Sequence, residues 1–151
     1  MKALTLTQPW ASLVACGAKR IETRSWRTPY RGPVAIHAAK GFPADAKDFS
    51  RCIRLSVLFG PHYEYPRGVV VATARIVACI PTRELPETRR IIEVDPAARC
   101  AHFPFTDQER MFGNYDPGRW AWLLADIKAT EHIPAKGALG LWEWEDTRGQ
   151  H

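Results

Sequence analysis

Alternating apolar and polar positions recur along the chain and predict strands more often than helices. In an extended backbone successive side chains point to opposite faces, so this alternation separates an apolar face from a polar one. The run 68–80 differs, because it is rich in valine, isoleucine and alanine on both faces, which is typical of a buried central strand. The predicted strands, about six in all, are 3–7, 21–26, 34–39, 68–80, 120–127 and 139–145.

Apolar residues at helical spacing are found in fewer places. A short helix is predicted between Pro9, which suits a first helical turn, and Gly17, which suits the position after a helix end. A longer helix is predicted over 44–58. The apolar face of this longer helix would be formed by Ala46, Phe49, Ile53 and Val57.

Two further helices are predicted in the second half of the chain. Thr106 and Glu109 have the spacing of a capping box, which predicts a short helix that ends at Gly113. A second short helix is predicted over 84–92, and residues 146–151 are predicted to be a frayed tail.

Strands and helices follow one another in mixed order, which argues against a doubly wound parallel sheet. We therefore predict an α+β fold, a small mixed or antiparallel β-barrel of about six strands decorated by two to four helices. The chain of 151 residues, with no repeat or linker, is predicted to be a single domain over 1–151.

Composition narrows the class of protein. No run of 18 apolar residues predicts a membrane span, and the first residues lack the pattern of a signal peptide, so a cytoplasmic location is expected. The four cysteines are far apart and form no CxxC pair, and the five histidines show no HExxH spacing. These spacings predict neither a metal site nor a disulfide framework, and nothing in the sequence indicates a cofactor.

The excess positive charge lies in the first quarter of the chain. The net charge is +5, and residues 1–40 hold seven basic residues against the single acidic Glu22, a net of +6. The remaining 111 residues hold 14 basic and 15 acidic residues, a net of −1. This asymmetry favours an anionic partner, of which nucleic acid is the commonest, although a solvated basic face explains it equally well.

The densest cluster of chemistry lies within this basic quarter, at 17–26. If the segment after Gly17 is extended, Glu22, Arg24 and Trp26 share one face, with Lys19 just before them. A carboxylate, a guanidinium and a flat ring on one face are suited to a polar, planar ligand.

Several blocks of the sequence resemble the ASCH domain family. The glycine, lysine, glutamate and arginine of its characteristic motif correspond to Gly17, Lys19, Glu22 and Arg24. Other blocks that carry the resemblance, in the same order along the chain, are 8–11, 36–40, Tyr115, 120–122 and 140–142.

The resemblance implies a PUA-like β-barrel with a basic and polar cleft beside the motif, and binding of RNA, DNA or a modified nucleotide. One bacterial branch of the family resembles amidohydrolases that act on an acylated cytidine. In that branch a threonine nucleophile occupies the position of Glu22, and a lysine that of Lys19, so this chain keeps the lysine but lacks the threonine. Another member resembles a ribonuclease, whose catalytic residues are not matched here.

The candidate ligand-binding residues combine cations, acceptors and aromatic rings. Lysine and arginine suit phosphates, Glu22 suits an amino group of cytosine or guanine, and the rings suit unpaired bases. If the protein is an enzyme, Lys19 and Glu22 are the catalytic candidates. The full set is Gln8, Trp10, Ser12, Lys19, Glu22, Arg24, Trp26, Arg27, Arg31, His37, Lys40 and Tyr115.

Structural roles compete with these assignments. Glu22 and Arg24 on one strand face could be a plain salt bridge, and His37 and the tryptophans could belong to the core. Three functions therefore stay open: a nucleic-acid-binding module that prefers RNA or single strands, a small hydrolase acting on a modified nucleoside or on RNA, and a regulatory domain that binds an acidic protein. The sequence leaves the oligomeric state open.

Overall fold

The computed structural model of the protein describes residues 1–87 and 105–149. Its strands are β1 (Lys2–Leu6), β2 (Ile21–Arg24), β3 (Gly32–Ala38), β4 (Val69–Pro81), β5 (Trp120–Pro134) and β6 (Leu141–Glu143). Its helices are α1 (Trp10–Ala15), α2 (Ala44–Ser50), α3 (Ile53–Phe59) and α4 (Asp107–Met111). Two short 3₁₀ helices cover Thr82–Glu87 and Thr147–Gly149.

The six strands form one mixed sheet in the order β2-β5-β4-β3-β1-β6, curled into a half-barrel. The pair β1 and β3 is parallel, and the other neighbours are antiparallel. Three register shifts interrupt the long ladder between β4 and β5, and such irregularities increase local bending. The sheet therefore curves strongly, and β2 and β6 lie at its two edges. This fold confirms the predicted class.

The predicted strands all occur, and the largest difference lies in β5. The sequence predicts that this strand ends at Ile127, but the ladder with β4 continues to Pro134. Asp126 adopts a positive φ of 52° at one of the irregularities, after which Lys128 pairs with Thr73 and Ile133 with Val70. The end of β5 was missed because its exposed polar residues look like a loop.

The prediction of a single helix over 44–58 is wrong. The chain leaves the helical conformation at Cys52, whose ψ of 154° is extended, so two helices of seven residues form instead. The break rotates the apolar positions of the second half. Ile53 and Val57 are 84% and 79% exposed, whereas Leu55 is completely buried.

The start of α4 follows the capping prediction in one respect. The Thr106 hydroxyl accepts a hydrogen bond from the Glu109 backbone N–H, as in a capping box. The Glu109 carboxylate, however, accepts from the Arg20 backbone N–H at 2.6 Å, which connects α4 to the turn before β2. Most of the predicted helix 84–92 lies outside the described residues, as do the last two residues of the predicted tail.

The core fills both faces of the sheet. On the concave face Leu4, Ile36, Trp122 and Leu124 pack with residues of α1. On the other face, Ala3, Ala35 and Val70 pack with Ile133 beneath the half-buried Trp142 and Trp144. Within residues 1–87 and 105–149, no helix has the length and apolar character that crossing a membrane requires.

Candidate functional site

The turn between α1 and β2 places a lysine in the interior. Gly17 adopts a φ of 81° after α1, and the Lys19 backbone N–H donates to the Leu13 carbonyl at 3.0 Å. The Lys19 side chain has no exposed surface, and its Nζ donates to the carbonyls of Ile21 and Phe112. Burial lowers the pKa of the Lys19 amine, while the nearby carboxylate of Glu22 acts in the opposite direction.

Helix α4 is fixed to the same turn by two more contacts. Gln108 Nε2 donates to the Ala18 carbonyl at 3.1 Å, and the Arg20 N–H donates to Glu109 Oε1. Burial raises the pKa of the Glu109 carboxyl, and its Oε2 has no hydrogen-bond partner among the described residues. Lys19 and α4 thus form a hydrogen-bonded base on which β2 lies.

Glu22 and Arg24 lie on the concave face of β2, as the strand alternation predicts. They pair across β5 with Trp122 and Trp120. Glu22 Oε1 accepts from the Thr23 N–H at 2.8 Å, and Glu22 Oε2 lies 3.6 Å from Arg24 Nη2. The salt bridge considered from the sequence is therefore present, with its arginine partly open to solvent.

Arg24 also spans the opening of the half-barrel. Its Nη2 donates to the Thr5 carbonyl of β1 at 2.9 Å, so a side chain from one edge strand reaches a strand next to the other edge. Both contacts use Nη2, while a guanidinium carries five N–H donors. Arg24 can therefore hold the opening in place and still donate to a ligand.

A cleft of about 510 Å³ lies beside Arg24 in this opening. Its polar lining consists of Thr5, Thr7, Glu22, Thr23, Arg24, Asn114 and Arg119. Its apolar lining includes Trp10, Phe49 and Met111, and the rings of Trp10 and Phe49 stack at 5.4 Å with an interplanar angle of 13°. The cleft thus combines two guanidinium groups, a carboxylate, an amide and aromatic surface.

The loop before β5 supplies the far wall of the cleft. Arg119 donates from Nε to the Asn114 carbonyl at 3.1 Å and from Nη2 to the Thr23 carbonyl at 3.2 Å. The Asn114 N–H donates to the Thr23 hydroxyl at 3.2 Å. These bonds attach the loop to β2 and bring Arg119 into the same cleft as Arg24.

Of the residues singled out in the sequence, the structure brings Trp10, Glu22 and Arg24 together in the cleft. Lys19 lies beneath its floor. Gln8 is buried and donates to the Pro66 carbonyl at 2.6 Å, while its Oε1 accepts from the N–H of Ser12, also buried.

The remaining candidates lie outside this cleft. Trp26 is 38% exposed and meets Trp122 edge-on, Arg27 lies over the Trp120 ring, and Arg31 donates to two nearby carbonyls. Tyr115 packs on Phe105, and burial raises the pKa of its hydroxyl, which has no hydrogen-bond partner among the described residues. His37 and Lys40 line a second groove of about 800 Å³.

Sequence reasoning missed Thr5, Thr7, Phe49, Asn114 and Arg119 as cleft residues. The two threonines carried a weak signal, since they are polar positions in a strand next to the Gln8-Pro9-Trp10 block. Asn114 and Arg119 carried none, because they belong to an ordinary turn and approach β2 only through the pairing of β2 with β5.

Comparison with known proteins gives a family and a fold. The sequence model of the ASCH domain family matches residues 4–134. Activating signal cointegrator 1 from Homo sapiens is 36% identical over 90 residues, and that from Mus musculus is 34% identical over 90 residues. These matches cover 56% of this chain and 15% of each relative, so the chain spans a small part of the proteins it resembles.

Solved structures of an ASCH protein from Zymomonas mobilis share the fold. The chain superposes on that protein with a TM-score of 0.52 at 15% identity, covering 99% of this chain and 90% of the other. A mutant form gives a TM-score of 0.54 at 14% identity, with coverages of 99% and 93%. At such low identity the likeness concerns the fold alone.

Proposed function

Because the chain belongs to the ASCH domain family, which has a PUA-like fold, we propose that its cleft binds an unpaired nucleotide of RNA or single-stranded DNA. In this proposal a base enters the opening of the half-barrel beside Trp10 and Phe49. Glu22 accepts a hydrogen bond from an amino group of the base, and Arg24 and Arg119 bind its phosphate.

The observation that carries the proposal is the composition of the cleft within a small volume. About 510 Å³ is the size of a small-molecule site, enough for one nucleotide and too small for a duplex. Aromatic surface supports base stacking, a carboxylate supports recognition of a base edge, and two guanidinium groups support phosphate binding. Sequence-specific recognition of RNA relies on unpaired bases of this kind.

The charge distribution supports the same partner. The excess positive charge lies in residues 1–40, of which β1, α1 and β2 supply side chains to the lining of the cleft. A basic surface accelerates the approach of a polyanion and releases counterions when phosphates bind. A regulatory domain that binds an acidic protein would use the same charge but not the base-sized cleft.

Fluorescence anisotropy with a labelled single-stranded RNA tests the proposal. We expect Arg24→Ala and Arg119→Ala each to weaken binding by about tenfold to a hundredfold, since a charge-assisted contact contributes roughly 1.5–3 kcal/mol. Arg54→Ala is the matched control, because Arg54 is exposed on α3 and does not line the cleft. Binding should also weaken steeply between about 50 and 200 mM salt. The proposal would be contradicted if the affinity did not change with salt concentration, or if all three variants lowered it equally.

Hydrolysis is a second candidate, favoured by the lowered pKa of Lys19 beside Glu22. A buried amine of lowered pKa near a carboxylate is an arrangement found at catalytic sites. Incubation of the protein with acylated nucleosides and with labelled RNA tests this function, and Glu22→Gln is the control variant. Turnover no faster than that of Glu22→Gln would exclude it.

A further inference from the structure

We propose that the second groove, lined by Lys40, Arg67 and Lys136, binds the phosphates of the same nucleic-acid strand whose base occupies the cleft. This inference rests on the proposed function and extends it from one nucleotide to a strand. The groove lies across β1 from the cleft, and it would make the binding site several nucleotides long.

Thr5 connects the two sites, because it lines both. Its backbone carbonyl accepts the hydrogen bond from Arg24 on the cleft side. Its hydroxyl points to the groove side, where it accepts from Trp142 Nε1 at 3.1 Å. The cleft and the groove therefore lie on opposite faces of the sheet at Thr5, separated there by the backbone of β1.

The groove is strongly cationic. It has a volume of about 800 Å³, and no carboxylate is found among the described residues that line it. Arg67 Nη1 donates to the Lys40 carbonyl at 3.1 Å, which attaches the Arg67 side chain to the backbone of Lys40. The Arg67 guanidinium also lies 5.8 Å from the centre of the Phe42 ring, over which Lys47 lies at 5.9 Å. Arg67 and Lys47 thus both lie against the Phe42 ring, beside the groove.

A network of hydrogen bonds shapes the groove and positions Lys136. The Ala135 carbonyl can only accept, so His37 Nε2 donates to it at 3.0 Å, and His37 Nδ1 accepts from the Thr5 hydroxyl at 3.2 Å. Gly137 approaches the imidazole so closely that a Cβ there would lie 2.6 Å from His37 Cε1. The segment that carries Lys136 is therefore fixed on both sides of it.

These features fit a phosphodiester chain better than an acidic protein segment. The ammonium groups of Lys40 and Lys136 are on flexible side chains and can neutralise successive phosphates without a fixed geometry. His37 is neutral and only holds the groove in shape through its hydrogen bonds. Proximity to the base-sized cleft at Thr5 adds a second argument, because a strand anchored in the cleft by one base has its next phosphates near the groove.

The test compares labelled random-sequence RNAs of three and ten nucleotides. With only two internucleotide phosphates, the three-nucleotide RNA reports mainly the cleft, and the gain in affinity with ten nucleotides reports mainly the groove. We expect the double variant Lys40→Gln/Lys136→Gln to bind the short RNA within about twofold of the unmodified protein but the long RNA roughly tenfold more weakly. The slope of log affinity against log salt for the long RNA should become shallower by about 1.4, or about 0.7 for each lost phosphate contact.

The double variant Arg54→Gln/Lys128→Gln removes the same charge at exposed positions outside both sites. This control should keep the full gain in affinity with RNA length. Thermal unfolding should show that both double variants are folded. The inference would be overturned if the two double variants lost affinity for the long RNA equally, or if the groove variant kept the full gain in affinity with RNA length. Binding of acidic peptides, but not of RNA, that depends on the groove would also overturn it. If the unmodified protein does not bind the short RNA but binds the long one through the groove, the proposed base site in the cleft fails while the groove stands as a phosphate site.

Discussion

At the scale of single residues, Lys19 shows how a motif residue can act as scaffold. The last carbonyls of a helix lack partners within it, and Phe112 follows the end of α4. Lys19 Nζ donates to the Phe112 carbonyl at 2.9 Å and to that of Ile21, so one amine satisfies backbone groups of two elements. The lysine of the motif thus holds the base of the cleft, while Glu22 and Arg24 line the cleft itself.

We predict that Lys19→Met lowers the free energy of unfolding by about 1–3 kcal/mol, because it leaves two buried carbonyls without donors. Urea denaturation at neutral pH measures this, with the exposed Lys128→Met as the control. Burial lowers the pKa of Lys19 in the folded protein below 10.5, so the folded state binds this proton less tightly than the unfolded state. Stability relative to Lys19→Met should therefore increase as the pH rises towards 10.5. A difference that does not change with pH would contradict the buried amine.

His37 gives a second prediction, on the acidic side. Burial lowers the pKa of His37 in the folded protein from 6.5, so protonation favours the unfolded state. The stability that neutral His37 contributes is complete above pH 6.5 and is lost as the pH falls through the folded pKa. Unfolding midpoints measured from pH 7.5 to 5.5 should fall more for the unmodified protein than for His37→Gln. Parallel curves would show that His37 does not titrate in this range.

At the scale of elements, the break between α2 and α3 decides which side chains are structural. Apolar spacing continues smoothly through 44–58, and no glycine or proline marks Cys52 as a boundary. The sequence therefore predicts Ile53 and Val57 in the core. The structure leaves both exposed and buries Leu55 with Leu13 and Phe112 instead.

We predict that Leu55→Ala lowers the free energy of unfolding by about 2–5 kcal/mol, because it creates a cavity in a packed cluster. Ile53→Ala should change it by no more than about 0.5 kcal/mol, since that side chain is 84% exposed. Chemical denaturation of the two variants side by side provides the comparison. A larger cost for Ile53→Ala than for Leu55→Ala would mean that α2 and α3 form the continuous helix that the spacing predicts.

At the scale of the whole molecule, local pattern determines the strands but not the site. Alternation predicts the strands other than β4, and a run that is apolar on both faces predicts β4, because neighbouring residues reveal which faces of a strand lie in the core. The cleft depends on where β2 stops short of closing the barrel, and on a loop that brings Arg119 next to Arg24 from 95 residues away. The sequence shows which residues are charged but not which are buried. Lys19 and Arg24 therefore have equal claims to the site in the sequence, whereas the fold buries Lys19 and leaves Arg24 in the cleft.

Arg24 affects both the fold and the site, since it belongs to β2, donates to β1 and lines the cleft. We predict that Arg24→Lys weakens binding of a short single-stranded RNA by about tenfold, because an ammonium lacks the planar fork that serves Thr5, Glu22 and a phosphate together. The slope of log affinity against log salt should stay unchanged, because the net charge stays at +5. Arg24→Gln should weaken binding similarly and also make that slope shallower by about 0.7.

Anisotropy titrations at several salt concentrations separate the two effects for Arg24. A geometric role predicts that the lysine variant loses affinity at every salt concentration, because the guanidinium both bridges the opening and contacts the ligand. A purely electrostatic role predicts that lysine substitutes fully for arginine. If Arg24→Lys binds RNA as tightly as the unmodified protein, Arg24 contributes only its charge, and the geometric role is wrong.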